Sequence, residues 1–196
     1  MLNKLRAKML SLQFRSIRRA VIILIAKIPK DLERAITFGD ALNHFLMISP
    51  FRPLFKFSIP KNIKVNVHDL TFDSPIISAS FKDDVSSLFQ WQLIGIGGIT
   101  YKTVLKMPSK GNLRPRIQEV SHDGNYAILN SLGLPTKGVK KFLSQIDNKK
   151  LTKFNRPIGI SIGGNSFEEY LSVFSDIDHH LNTIDFSQFF YEINIS

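Results

Sequence analysis

Four short apolar segments, each running into small or polar residues, do most to limit what this chain of 196 residues can fold into. They are residues 76–80, 93–99, 157–162 and 189–195, rich in Ile, Phe and other strand-forming residues. Between them the apolar spacing turns helical. Asp83 or Asp84 can cap a helix carrying Val85, Leu88 and Phe89. Thr136 can cap one carrying Val139, Phe142, Leu143 and Ile146. Ser166-Phe167-Glu168-Glu169 forms a capping box ahead of Tyr170, Leu171, Phe174 and Ile177. Strands that are apolar throughout are buried on both faces, and strand–helix repeats bury them in a parallel sheet. A doubly wound sheet and a (β/α)8 barrel both fit this pattern. Long polar loops at the strand C-termini favour the barrel. The expected fold is therefore α/β: a (β/α)8 TIM barrel truncated to roughly its first four core strands, behind an N-terminal helical segment. In this reading residues 64–67 and 70–72 make a short hairpin, residues 101–125 a long loop, and residues 126–129 a short strand or extended segment.

The N-terminal part has a different character. Residues 1–30 contain no Asp or Glu but hold Lys4, Arg6, Lys8, Arg15, Arg18, Arg19, Lys27 and Lys30 around the apolar run 20–26. That run is too short to span a bilayer. Apolar area beside basic heads suits a helix lying on an anionic membrane surface. A targeting presequence and a helix packed on its own domain remain open. A second helix starts near Asp31, with Leu32, Ala35, Ile36, Ala41, Leu42, Phe45 and Leu46 at helical spacing, Gly39 as an interruption and Ser49-Pro50 as its end. Three parts result: 1–30, a basic amphipathic helix; 31–62, a helical segment and linker; and 63–196, the strand–helix part. The whole chain has a net charge of +10 and a pI near 9.9, which favours an anionic partner or reflects solubility. The charges are not grouped with a nucleic-acid-binding motif, and no nucleic acid is expected as partner. Without cysteine, thiolate and disulfide chemistry are excluded, and no metal site is expected.

Small and amide residues gather beyond the strand ends: Ala79-Ser80, Gly97-Gly98, Gly111-Asn112, Asn130-Ser131-Leu132-Gly133, Gly163-Gly164-Asn165 and Asn194. Asn offers a donor and an acceptor together, which suits a planar heterocycle with alternating N–H and C=O groups. Turn chemistry explains any one of them equally well. Their order resembles dihydroorotate dehydrogenase, most nearly its quinone-linked, membrane-associated class. Leu32-Glu33-Arg34-Ala35 is similar to the family's Glu-Arg-Ala-His helix segment, with Ile36 in the His place. Leu70-Thr71-Phe72-Asp73-Ser74-Pro75 is similar to Leu-Thr-Phe-Lys-Asn-Pro. Gly111-Asn112-Leu113-Arg114-Pro115-Arg116 resembles the Gly-Asn-Pro-x-Pro-Arg loop. Asn130-Ser131-Leu132-Gly133-Leu134-Pro135 resembles the orotate-contacting Asn-Ser-Met-Gly-Leu-Pro of the soluble class and the Asn-Arg-Met-Gly-Phe-Asn of the quinone class. Ile193-Asn194-Ile195-Ser196 resembles the start of Asn-Ile-Ser-Ser/Cys-Pro-Asn.

The resemblance implies FMN as cofactor and oxidation of dihydroorotate to orotate, with electrons passing to a quinone, in pyrimidine synthesis. It implies substrate contacts from Asn130, Ser131, Leu132, Gly133, Leu134 and Asn194. It implies cofactor contacts from Ala79, Ser80, Lys82, Gly97, Gly98, Ser161 and Asn194. Residues 31–62 take the place of the quinone tunnel. The protein is expected to be peripheral at a membrane: the cytoplasmic face in a prokaryote, the mitochondrial inner membrane in a eukaryote. Besides Ile36, several positions depart from the family pattern, among them Gly164, which stands where Lys is common. Phe81 stands where Gly is usual, Asp84 where Lys is, Gly98 where Thr is and Ser161 where Asn is. The Ser or Cys base is expected one residue past Ser196, so no catalytic residue is assigned within the chain, which is expected to be an incomplete, inactive piece. Two alternatives stand beside this reading: a degenerate non-catalytic relative, and another FMN-dependent TIM-barrel oxidoreductase.

Overall fold

The structure is a computed structural model and describes residues 2–12, 20, 24, 31–147, 154–184 and 188–195. Ser196 and most of the basic segment 1–30 lie outside these residues, so the interfacial-helix reading applies to a described helix only at α1, Leu2–Leu12. The chain forms two compact units.

One unit comprises Met1–Phe55 and Gly111–Gly133. It contains α1, the helix α2 (Glu33–Ile48) and an antiparallel hairpin of β4 (Ile117–His122) and β5 (Asn125–Asn130). Asp31 opens α2 by accepting a hydrogen bond from Glu33 N at 3.1 Å. The helix runs unbroken through Gly39, whose penalty of about 1 kcal/mol is too small to stop a helix of 16 residues. Ser49 ends it in extended backbone. Leu32 N donates to Ile117 O at 2.9 Å, and Arg114 and Arg116 reach back to Asp31 and Glu33, so the helix start and the hairpin are tied together.

The other unit comprises Lys56–Lys110 and Leu134–Ser196. A small hairpin, β1 (Val65–Val67) with β2 (Leu70–Phe72), precedes α3 (Val85–Ile94). The central sheet is parallel, with β3 (Ile99–Val104), β6 (Ile158–Ile162) and β7 (Phe189–Ile193) in the order β3-β6-β7. The helices α4 (Val139–Asp147) and α5 (Phe167–Thr183) connect them. Alternation along each strand makes two faces. Ile99, Tyr101, Ile158, Ile160 and Ile162 join Leu88, Val139, Phe142, Val173, Ile177 and Leu181 in one buried cluster. On the opposite face Gly159 lies against Phe190 and Thr100, and Phe190 meets Phe72 at 6.0 Å.

Several expectations need correction. Residues 93–99 are not a strand: Leu93 and Ile94 finish α3, Gly95 closes it with φ +104°, and the strand begins at Ile99. Glycine at 95 stops the helix, and the apolar run had masked that boundary. Residues 76–80 are not a full strand; parallel bridges Ile77–Gly98 and Lys82–Tyr101 lay that segment along β3. Among the described residues the sheet therefore has three strands where four were expected. The expected loop 101–125 contains most of β3 and all of β4.

The burial pattern of α5 generates a prediction. Ile177 is fully buried while Leu171, on the same helix, is 49% exposed. Ile177→Ala should lower unfolding free energy by about 2–5 kcal/mol in urea titration, and Leu171→Ala by roughly 0.5 kcal/mol or less. Equal losses contradict this core.

Candidate functional site

Parallel α/β sheets place their chemistry at the strand C-termini. Here that end of the non-helical face is polar. Thr103 Oγ1 lies 3.0 Å from Ser161 Oγ, and Asn194 Nδ2 donates to Thr103 Oγ1 at 2.8 Å. Asn194 N donates to Ile162 O at 2.9 Å, carrying the β6–β7 ladder one residue further, and Tyr170 OH donates to Asn194 O. Asn194 is thus fixed at both backbone and side chain. Ser80 Oγ donates to Glu192 Oε1 at 2.6 Å. That bond joins the segment beside β3 to the strand on the far side of β6. Ser161 is 0% exposed and stands behind Thr103 and Asn194.

The sequence-predicted residues have separate fates. Asn194, Ser161 and Ser80 lie at this strand-end face. Lys82 pairs by backbone with β3, its carbonyl accepting from Lys102 N at 3.0 Å. Ala79 is exposed. Gly97 and Gly98 are buried by their own chain: a Cβ on Gly97 would meet Ser74 O at 2.0 Å, and one on Gly98 the Phe72 ring at 2.7 Å. Their smallness serves packing against residues 72–74. Asn130 ends β5 of the antiparallel hairpin, opposite Ile117, and is not at the tip of a parallel strand.

The two most specific motifs clasp each other within their own unit. Asn112 N donates to Leu132 O at 3.0 Å, Asn112 Nδ2 to Ser131 O at 2.9 Å, and Ser131 N to Arg116 O at 2.8 Å. Gly111 and Gly133 adopt φ +71° and +66°, and a Cβ on either would strike the other strand of the clasp. Leu134, φ 48°, follows directly, in the other unit.

Two of the departing residues are engaged with α3. Asp84 caps α3, accepting from Ser86 N at 3.3 Å and Ser87 N at 2.9 Å, so its carboxylate serves the helix start. The Phe81 ring packs on Trp91 at 4.9 Å, against α3. Thr103 and Glu192 are site residues that sequence reasoning missed. A bulge between Tyr101 and Val104 breaks the alternation of β3 and hid Thr103.

A cavity of about 220 Å³ lies at the other end of the strands, lined by Phe57, Ile59, Pro60, Lys64, Asp73 and Arg156. Its charges are occupied internally. Arg156 Nε donates to Asp73 Oδ2 at 3.0 Å, and Arg156 Nη1 to Ile96 O at 2.8 Å. Lys64 sits 3.2 Å from Asp73. The cluster reads as a structural tie beneath the sheet. Among the described residues no group of His, Asp and Glu is arranged to hold a metal ion, and no helix is long and apolar enough to cross a membrane.

The sequence thus folds into a parallel α/β sheet with a hydroxyl–amide cluster at its strand ends. The family model described as dihydroorotate dehydrogenase matches residues 62–196, and the chain belongs to that family. It is 33% identical over 116 residues to the catalytic subunit of dihydroorotate dehydrogenase B (NAD(+)) of Endomicrobium trichonymphae, covering 57% of this chain and 36% of that protein. It is 29% identical over 137 residues to the dihydroorotate dehydrogenase (quinone) of Synechococcus sp. (strain JA-2-3B'a(2-13)), covering 69% and 35%. The crystal structure of the Eimeria tenella enzyme in complex with ferulenol aligns with a TM-score of 0.49 at 20% identity, covering 66% of this chain and 36% of that one. The chain spans about a third of the length of the curated relatives it matches.

The Asp73 cluster predicts a pH dependence. Burial pushes the Asp73 carboxyl up, but hydrogen bonds from Arg156 and Lys64 and their charges outweigh this and hold it below its ordinary value. A carboxyl held low in the folded chain adds stability above its unfolded pKa, and that stability is lost as pH falls through the folded value. Asp73→Asn should therefore lower the urea midpoint at pH 7 and flatten its decline below about pH 4. An unchanged acid decline in the variant contradicts the assignment.

Proposed function

We propose that the strand-end face of this chain binds FMN and the dihydroorotate or orotate ring, serving dihydroorotate oxidation in pyrimidine biosynthesis on a (β/α)8 scaffold. The observation that supports this reading most is the Thr103–Ser161–Asn194 cluster at the ends of neighbouring parallel strands, in a chain of this family. The donor set fits a flavin edge or a pyrimidine, since hydroxyls and an amide supply both donors and acceptors. Phe81 and Asp84 are engaged with α3 and leave that face to Ser80, Thr103 and Asn194. Bound FMN supplies the hydride acceptor that converts dihydroorotate to orotate. Asn194 orients the ring, and Ser80 and Glu192 hold the outer edges of the face together.

The electron acceptor in this proposal is a quinone, and residues 1–62 place the protein at the membrane surface. The supporting observation is an apolar stripe on α2, where Phe38, Leu42, Phe45 and Ile48 are all exposed, continued by Phe51 and Leu54. The acid-free segment 1–30, which precedes it in sequence, carries positive charge. A second acceptor, NAD(+), is favoured by the likeness to catalytic subunits of dihydroorotate dehydrogenase B (NAD(+)).

Binding tests the site. Titrating the full chain with free FMN, with and without orotate, should give saturable flavin fluorescence changes that orotate alters. Asn194→Ala should weaken orotate binding at least about tenfold, the loss of one hydrogen bond to a buried polar ring. No saturable FMN response overturns the reading. For the membrane part, flotation with anionic vesicles should recover the chain, and Phe45→Ser with Ile48→Ser should reduce recovery. Indifference to both lipid charge and these substitutions favours the NAD(+) reading.

A further inference from the structure

We infer that Glu192 is a specificity-determining residue: its charge turns the uncharged, N–H-bearing end of a ligand ring toward the strand-end face and keeps a carboxylate end away; the inference rests on the proposed strand-end site. Alternation along β7 and just past it puts Phe190, Glu192 and Asn194 on one face, opposite the helices, while Tyr191 packs on Phe174 of α5. The three stand at successive heights. Phe190 is the floor, its ring close to Gly159 and 6.0 Å from that of Phe72. Asn194 is at the rim, bonded to Thr103. Glu192 lies between them, in register with Ser161 across the β6–β7 ladder. Two residues along a strand span about 7 Å, which sets the height of Glu192 below Asn194.

The surroundings leave this charge in force. The carboxylates of Asp31, Glu33, Asp73, Asp83 and Asp176 each lie beside a Lys or Arg. Glu192 instead accepts from the Ser80 hydroxyl at 2.6 Å, a neutral group, and among the described residues no Lys, Arg or His forms an ion pair with it. The Phe72 and Phe190 rings below are an apolar floor, and low-dielectric walls direct a field toward the open side. A pyrimidine with a ring carboxylate is charged at one end and carries imide N–H and C=O groups at the other. Glu192 opposes the first end and attracts the N–H dipoles of the second. Repulsion between unit charges about 7 Å apart weakens binding roughly threefold in water and roughly fiftyfold at an effective dielectric constant of about 20. Glu192 is half-buried, between these limits.

The test titrates the FMN-loaded full chain with orotate and with its neutral carboxamide. Glu192→Gln keeps the side-chain length, still accepts from Ser80 and removes the charge. It should shift the ratio of the two affinities toward orotate by at least about fivefold relative to the parent. Glu192→Asp keeps the charge and should keep the parent's ratio. A purely structural role moves both ligands alike, so an unchanged ratio in Glu192→Gln overturns the inference, as does an equal shift in Glu192→Asp. Ser80→Ala removes the hydroxyl and leaves Glu192 in place, so the ratio should hold even where both affinities fall. A ratio that shifts toward orotate with Ser80→Ala assigns the discrimination to the hydroxyl and overturns the inference without any change at Glu192. If the parent binds neither FMN nor orotate, the proposed function falls and the inference with it. If the parent binds both and the ratio ignores Glu192→Gln, the inference falls alone.

Discussion

Everything at the candidate site depends on the parallel pairing of β6 with a strand on either side. Because side chains alternate, one register sends Ile158, Ile160 and Ile162 to the helices and turns Gly159 and Ser161 to the opposite face. A slip of one residue would bury Ser161 among Val173, Ile177 and Leu181 and put isoleucines where Thr103 and Asn194 now meet. The apolar cluster against α4 and α5 therefore fixes more than stability. It determines which groups appear at the strand ends and at what height.

The fold was legible wherever periodicity and capping agreed. The hairpin at 65–72, the strands at 158–162 and 189–193, and the helix behind Ser166 could all be read directly. In each case the local signal and the tertiary environment point the same way. The Ser166 hydroxyl accepts from Glu169 N, while the Glu169 carboxylate accepts from Asn165 N, one residue before the expected partner. Reading failed where an apolar run crossed an element boundary, as at Leu93–Ile99, since burial looks alike in a helix end and a strand start. It failed again at β4, whose Gln118, Glu119, Ser121 and His122 carry no strong strand signal and which is held by pairing with β5. Pairing partners distant in space leave little trace in composition.

The candidate site divides in the same way. Asn194 was visible because an amide just past an apolar strand is a recognisable pattern. Thr103 was not, because a bulge placed it and bulges have no simple signature. Gly97 and Gly98 show the converse: residues noticed for the room they leave, whose room the chain fills itself with Ser74 and Phe72. The Gly111–Asn112 loop and the Ser131–Gly133 segment, prominent in the resemblance, are interlocked by backbone bonds, so much of their specificity describes a clasp. Asp84 and Phe81, two of the departures from the family pattern, make their contacts with α3.

The chain belongs to the dihydroorotate dehydrogenase family, and the proposal puts that family's chemistry at the strand-end face. The measurement that bears most directly on the account is a crystal structure of the full chain grown with FMN and orotate. The account predicts ring density over the C-terminal ends of β3, β6 and β7, within hydrogen-bonding distance of Asn194, with the core strands parallel. Ligand density at the Lys64–Asp73–Arg156 cavity, or a sheet in another register, would contradict it.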